Sequence, residues 1–482
     1  MKKATQLSSL SLLITALFSQ QVFADVPLTL EQYNQATNPE FKRTVVVQNL
    51  NSPHNLVWGG DNNLWLTEQT SGNIVRINPN TGAKKTIFTV PDMVYDEGAQ
   101  YGLLGIALDP KFNQANHQFV YVSVSIKNPN AKDPAFPNQM VIRRYTYDAK
   151  KDTLVNPVDI IKGLPCSRDH QSSRLVIGPD NKIYYTIGDQ GSNQLTYLFK
   201  PNLAQKTPTK AEVSAKDWHK YAGKILRLNL DGSIPSDNPY FDGVQSHIYT
   251  IGHRNAQGLS FAPNGKLLQS EQSANSDDEI NLIVKGGNYG WPYVAGYKDN
   301  NGYAYANFSA AKGDQSKIKD PALNGLKAPE GVRVTKESEW SDKNFIQPLK
   351  TLFTVGNDHN FNDPTCGEYA YVCWPTVAAS SAYFYKGGKS AIPGWENSLL
   401  VTSLKRGVIF RIQMDDSISV TKGDAIPMFR SENRYRDIVA SPNGNELFVI
   451  TDNAGSVQKN DGTVTKTVAN PGALIKFTYQ PK

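Results

Sequence analysis

The sequence has only three cysteines among its 482 residues, and none stands in a Cys/His spacing that would bind zinc. It has no run of lysines and arginines. With a mild formal charge of +6, that argues against a nucleic-acid-binding surface. Beyond the first two dozen residues there is no apolar stretch long enough to cross a bilayer. Helical periodicity is also scarce. The clearest candidates are "TLEQYNQA" and "TPTKAEVSAKDWHKYAG".

What the chain does have begins with a leader. "MKK" followed by "LSLLITALF" is a basic start and an apolar core too short to span a membrane. Val22 and Ala24 then give the small-residue pattern of a cleavage site. Residues 1–24 are expected to be a secretory signal peptide and 25–482 a single catalytic domain. The product is then periplasmic or secreted. In an oxidising compartment Cys366 and Cys373, seven apart in "DPTCGEYAYVCWP", are expected to pair and brace one loop. Cys166 is left as a buried free thiol.

Glycine (36), proline (28) and tyrosine (23) are plentiful, as in a protein of many turns and aromatic strands. One phrase recurs: an apolar run, a Pro/Gly-Asp/Asn turn, and a strand closing on Thr/Ser-Asp/Glu or a close variant. "LVWGGDNNLWLTE", "LVIGPDNKIYYTIGD", "LSFAPNGKLLQSE" and "IVASPNGNELFVITD" are the clear copies. "LLGIALDPKFNQANHQFVYVSVS" is a looser one. Each reads as a β-hairpin by its turn chemistry. A second phrase follows several of them, as in "GNIVRINPNTG" and "GKILRLNLDGS". Irregular repeats of this kind fit an all-β, six-bladed β-propeller, with roughly 75 residues per blade. That exceeds a four-stranded blade. The surplus is expected in long loops on the active-site face, at 90–101, 125–140, 192–222 and 286–380.

Polar sets stand beside the expected inner strands. Asp169-His170 precedes "LVIGPDN", "GHRNAQG" precedes "LSFAPNG" and "NRYRD" precedes "IVASPNG"; "SLKRG" lies between strands of another blade. A lone histidine beside a strand is ordinarily structural, and so is a lone Arg-Asn pair. Several such sets at equivalent blade positions instead point to one site at the channel mouth. Arg254, Lys405, Arg434 and Arg436 would there bind a compact polyanion. His170 is suited to general-base work. A second, acidic stretch, "NSDDEINLIVKGGNYGWPYVAGYKDN", mixes carboxylates with Gly-rich bends, the donor mixture calcium takes. A solvated acidic turn reads equally well from spacing alone.

"SHIYTIGHRNAQGL", "SDDEINLIVKGGNYGWP", "KDNNGYAYANFSAA", "DPTCGEYAYVCWPTVA" and "SLKRGVIFRI" together resemble the soluble, periplasmic quinoprotein glucose dehydrogenases, in order and over nearly the whole chain. That resemblance implies a six-bladed propeller using pyrroloquinoline quinone (PQQ) and Ca2+, typically a homodimer. It implies oxidation of aldoses at the anomeric carbon to lactones, with electrons passed on to an external acceptor. His170 matches the family's base, Asp169 a group that orients or tunes it, and Gln100 a contact to the sugar hydroxyl. Arg254 and Asn255 match the partners of the quinone oxygens. Lys405, Arg434 and Arg436 match the holders of the PQQ carboxylates. Gln194, Tyr371, Trp374 and Thr376 match cofactor- or sugar-pocket positions.

The cofactor calcium takes two carbonyls, which fall here on Ser273 and Ala274 in place of the family's Gly-Pro. A further calcium at the subunit contact matches Glu279, Tyr289, Ala295, Tyr297, Asp299 and Glu337. Small insertions near 113–117 and 312–317 also depart from the pattern. Two other readings compete: a calcium-dependent sugar-lactone hydrolase on a similar propeller, and a non-catalytic binding propeller. The first needs a metal held by channel carboxylates. The second needs neither a base nor clustered cations.

Overall fold

The computed structural model describes residues 25–318, 328, 331–362 and 364–481. The expected leader lies outside the described residues. Six four-stranded antiparallel sheets follow one another along the chain. Their inner strands are Pro53–Trp58, Leu103–Leu108, Ser172–Ile177, Asn255–Phe261, Ala379–Tyr385 and Tyr435–Ala440, which define blades 1 to 6. Each inner strand packs against the next and the sixth against the first, closing a ring. Strand Phe41–Val47, from the start of the chain, pairs with Leu474–Tyr479 and supplies the outer strand of blade 6. Radial repetition of this kind leaves only short, protected sheet edges.

The recurring phrase forms the inner hairpin of its blade. Trp58 faces Leu64 across "GGDNN", and Ile177 faces Ile183 across "GPDNK". Alternation along the second strands then explains the core. Tyr184 packs between blades 3 and 4, while Tyr185 packs between blades 2 and 3. Leu399 and Leu400 divide likewise between the two faces of blade 5. The hydrophobic core is thus six interblade layers rather than one centre. The two expected helices are short, Leu30–Asn34 and Lys210–Ser214, each opened by a capping box on Thr29 or Thr209.

The channel axis is closed by polar groups from every blade. Arg174 donates to Asp437 at 2.6 Å and to the carbonyls of Gln257 and Ser380. Asp437 also accepts from Asn55, at 2.7 Å, and from Ser381. The backbone of Ile106 donates to Asn55. This net divides the channel into two cavities, one at each mouth.

The inner hairpins of the blades are irregular at one end only. All six inner strands lose register with their neighbour near their first residues, at Pro53/Leu56, Leu103/Ile106, Ser172/Leu175, Ala256/Gly258, Ala379/Ser381 and Tyr435/Asp437. Bulges of this kind re-aim side chains. His170, Ser172 and Ser173 all have φ in the left-handed region, a costly conformation for residues with a Cβ.

Candidate active site

The mouth at the strand starts holds a cavity of about 660 Å³. It gathers Gln100, Asp169, His170, Arg254, Ser273, Ala274, Tyr371, Trp374, Thr376, Lys405, Arg434 and Arg436. Asn255 and Gln194 stand one hydrogen bond behind this lining. Asn255 accepts from Ser172 at 2.9 Å, and Gln194 accepts from Arg254 at 2.8 Å. Residues separated by more than three hundred positions meet because each blade begins its inner strand at the same rim. The expected long loops 90–101 and 286–380 contribute to the wall, through Tyr95, Gly98 and Gln100 and through Tyr371, Trp374 and Thr376. Residues 125–140 instead form the end of a long hairpin between Phe119–Lys127 and Asn138–Asp148.

His170 is buried, and its Nδ1 lies 2.7 Å from Asp189 Oδ1. A carboxylate there fixes the proton on Nδ1 and leaves the Nε2 lone pair free. The orienting contact therefore belongs to Asp189. Asp169 lies on the other side of the ring, 3.7 Å from Nε2, and accepts from Gln100 at 2.7 Å. Asp189 is fully enclosed and accepts in addition from Gly191 N, Asn202 Nδ2 and Trp291 Nε1. The close approach requires Gly188, where an added Cβ would lie 1.8 Å from the His170 carbonyl.

Four cations line the same cavity. Arg434 and Arg436 share the single carboxylate of Asp452, at 3.0 and 2.6 Å. Burial would raise the Asp452 carboxyl, but the two guanidinium groups hold it below its ordinary value. One carboxylate between two guanidinium groups leaves positive charge uncompensated. Lys405 donates to the carbonyls of Tyr371 and Trp374 and to Thr376 Oγ1. Burial, with Arg406 beside it, pushes the Lys405 ammonium well below its usual value, against the pull of Asp278. An arriving anion would relieve that strain. Arg254 donates to Gln272 O and Gln194 Oε1, and its buried Nε has no partner. The donor set thus fits a polycarboxylate with further oxygens near Arg254 and Asn255.

Tyr371 is half-exposed at the rim and donates to Ser456, while Trp374 donates to Phe361 O. The loop carrying both is closed by the Cys366–Cys373 disulfide, as expected. Cys166 is buried and free.

The acidic stretch folds beside this cavity. Ser273 N donates to Asp278 at 3.0 Å, and Asp278 also accepts from Val377 N, so a carboxylate fixes the Ser273-Ala274 bend. Farther out, Glu337 accepts from the backbone of Ala295, Asp299 and Asn300, and Glu279 from Gly296 N. Tyr297 and Asp277 adjoin them: the buried Tyr297 hydroxyl has no partner, and burial pushes Asp277 up to about 8 and Glu337 to about 7. Tyr289 stacks on His253 and donates to Leu282 O, leaving its side chain to packing. Among the described residues no three acidic, histidine or cysteine side chains are grouped to hold a metal ion by themselves. A cation here would depend on backbone carbonyls as well.

Asp189, Asp452 and Trp291 were not anticipated, although a signal for the two acids was present. The acidic residue that ends the repeated phrase is Glu68, Asp189, Glu271 or Asp452. Each reaches the polar set at the start of its own blade. Glu68 accepts from Asn51 N, Asp189 from His170, Glu271 from His253 and Arg254 N, and Asp452 from Arg434 and Arg436.

Three comparisons bear on this geometry. The glucose/sorbosone dehydrogenase family description matches residues 50–349 and 356–459. Quinoprotein glucose dehydrogenase B of Acinetobacter calcoaceticus is 64% identical over 466 residues, 97% of each chain. Aldose sugar dehydrogenase YliI of Escherichia coli is 27% identical over 64% of this chain and 77% of its own. The fold is shared with the PQQ-bound aldose sugar dehydrogenase of Streptomyces coelicolor, at 22% identity and TM-score 0.59 over 91% of this chain and 98% of that one. The soluble aldose sugar dehydrogenase of Escherichia coli in its apo form gives TM-score 0.62 at 22% identity, over 91% and 99%.

Proposed function

The chain belongs to the glucose/sorbosone dehydrogenase family, and from that premise we propose that it is a PQQ-dependent aldose dehydrogenase. Its substrates are glucose and other aldoses, oxidised at the anomeric carbon to lactones. The observation that carries the reading is one cavity holding a histidine whose Nδ1 meets a buried carboxylate together with four cations, two of which share a single carboxylate.

His170 Nε2 takes the proton of the anomeric hydroxyl, and Asp189 stabilises the imidazolium that results. Gln100 and Asp169, joined at 2.7 Å, position the sugar hydroxyl, and Tyr371 and Trp374 cover its apolar face. Lys405, Arg434, Arg436 and Thr376 would hold the cofactor's carboxylates. Arg254, backed by Gln194, would face its quinone oxygens with Asn255 behind the lining, and a fixed cation there would stabilise developing negative charge. PQQ, when bound, supplies a two-electron acceptor, and the protein supplies position and field. Electrons then leave to an external acceptor.

The carbonyls of Ser273 and Ala274 would hold the cofactor's calcium, which depends on no particular side chain. Glu279, Asp299, Glu337 and the carbonyls of Tyr289, Ala295 and Tyr297 would hold a second, at the contact of a homodimer. The working unit is residues 25–482, released into the periplasm by removal of the leader. Reconstitution tests the reading: glucose-dependent dye reduction should require both PQQ and calcium. Absence of PQQ binding by the purified chain would overturn it.

A further inference from the structure

Trp291 belongs to the acidic stretch and has no place in the chemistry above, yet it touches both halves of the site. Its indole Nε1 donates to Asp189 Oδ2 at 2.8 Å. Its ring lies under the Arg254 guanidinium, 5.5 Å from centroid to Cζ. The side chain is buried, with 4% of its surface exposed. Asp189 Oδ1 meanwhile accepts from His170 Nδ1. One rigid aromatic therefore fixes the carboxylate behind the base and the platform beneath the cation that faces the quinone oxygens.

The location of that aromatic is itself determined. Trp291 N donates to Gly252 O, two residues before Arg254, and Trp291 O accepts from Gln205. Gln205 in turn pairs with Asn288 through both ends of its amide, at 2.9 and 2.8 Å. Tyr303 packs against the indole at 5.7 Å. The ring thus has neighbours in blade 4 and in both flanking loops, and little freedom to turn. Without its indole donor, Asp189 Oδ2 keeps only Asn202, and the more loosely held carboxylate would let His170 lose its single tautomer. A cation deprived of its aromatic face would lose the cation–π contact that limits its movement.

We propose that Trp291 is a positioning residue for the oxidation: through Asp189 it holds His170 with Nε2 unprotonated, and through its ring face it holds Arg254. The inference rests on the assignment of His170 as the base, but it has its own test. In the PQQ- and calcium-loaded enzyme, Trp291→Phe keeps a ring and removes the donor. It should lower kcat about tenfold, the cost of one hydrogen bond to a charged group, with glucose KM and PQQ affinity changed less than twofold. In an Asp189→Asn background the same substitution should cost almost nothing, because its route to His170 is already cut. An equal loss in both backgrounds, or no loss in the first, would overturn the proposal.

Nitrogen-15 spectra of histidine-labelled protein, assigned with His170→Gln, read the tautomer directly and without turnover. Wild-type His170 should carry its proton on Nδ1, and Trp291→Phe should give a mixture. A wild-type proton on Nε2, or an unchanged tautomer in the variant, contradicts the proposal whatever the kinetics. Retained turnover in His170→Gln would instead remove the base assignment and leave the spectra to decide the role of Trp291.

Discussion

The two mouths of the channel are built from the same six strands and enclose cavities of nearly equal size, about 660 and 700 Å³. They differ in what the strands do there. At the hairpin end, turns such as "GGDNN" and "GPDNK" close in regular register, and the cavity is walled by Trp58, Phe261 and Tyr383 with Lys111 and Lys386 on exposed turns. At the other end every inner strand is bulged, His170, Ser172 and Ser173 carry strained backbone, and the cations are buried or half-buried and share too few carboxylates. Volume does not separate the two mouths. The chemistry does, because buried charge and strained backbone persist only where something offsets their cost.

Five substitutions and treatments sharpen that contrast. The largest effect is expected from His170→Gln, which should reduce turnover by about 10²- to 10⁴-fold with PQQ titration unchanged. Next is Arg174→Ala, which breaks the ion pair separating the mouths. It should cost about 3 kcal/mol or more in urea unfolding, because Asp437 is left buried with one charge unpaired. Arg434→Ala should weaken PQQ binding about tenfold or more at low salt, measured by fluorescence titration, because it removes one cation of the uncompensated pair. An unchanged titration would place Arg434 outside the cofactor site.

A smaller effect concerns the acidic stretch. Asp277 and Glu337 are raised by burial to about 8 and about 7. A raised carboxyl stabilises the fold while protonated, and that contribution is lost as pH rises through the folded value. The melting temperature of chelated protein should therefore fall from about pH 4, where the unfolded carboxyls titrate, to about pH 8, and calcium should abolish the fall. A flat profile without calcium would contradict the reading of this stretch as a cation site. At the hairpin mouth, by contrast, Lys386→Ala should leave both PQQ affinity and turnover unchanged.

The sequence disclosed the blades and the rim because both repeat. Turn chemistry marks each inner hairpin, and four copies of one phrase suffice to expect a propeller. Blade 5 carries no clear copy of the hairpin phrase, since its inner hairpin passes through a long turn, Lys386–Asn397, and it was visible instead through "SLKRG" and the strand that follows. His170, Arg254, Lys405 and Arg434 stood out as polar residues where a turn alone would serve. Asp189 and Asp452 did not, since an acid ending a strand reads as a turn residue until the bulge at the adjacent strand brings a histidine or two arginines onto it. Trp291 was beyond reach. An aromatic in a Gly-rich stretch gives no sign of which carboxylate, a hundred positions earlier, it will meet.

The most direct test is a crystal structure of the protein soaked with PQQ and calcium. PQQ bound between Arg254, Lys405 and Arg434, at the mouth with the bulged strand starts, is the result expected. PQQ at the hairpin mouth, or at neither mouth under conditions where it binds in solution, would contradict the account.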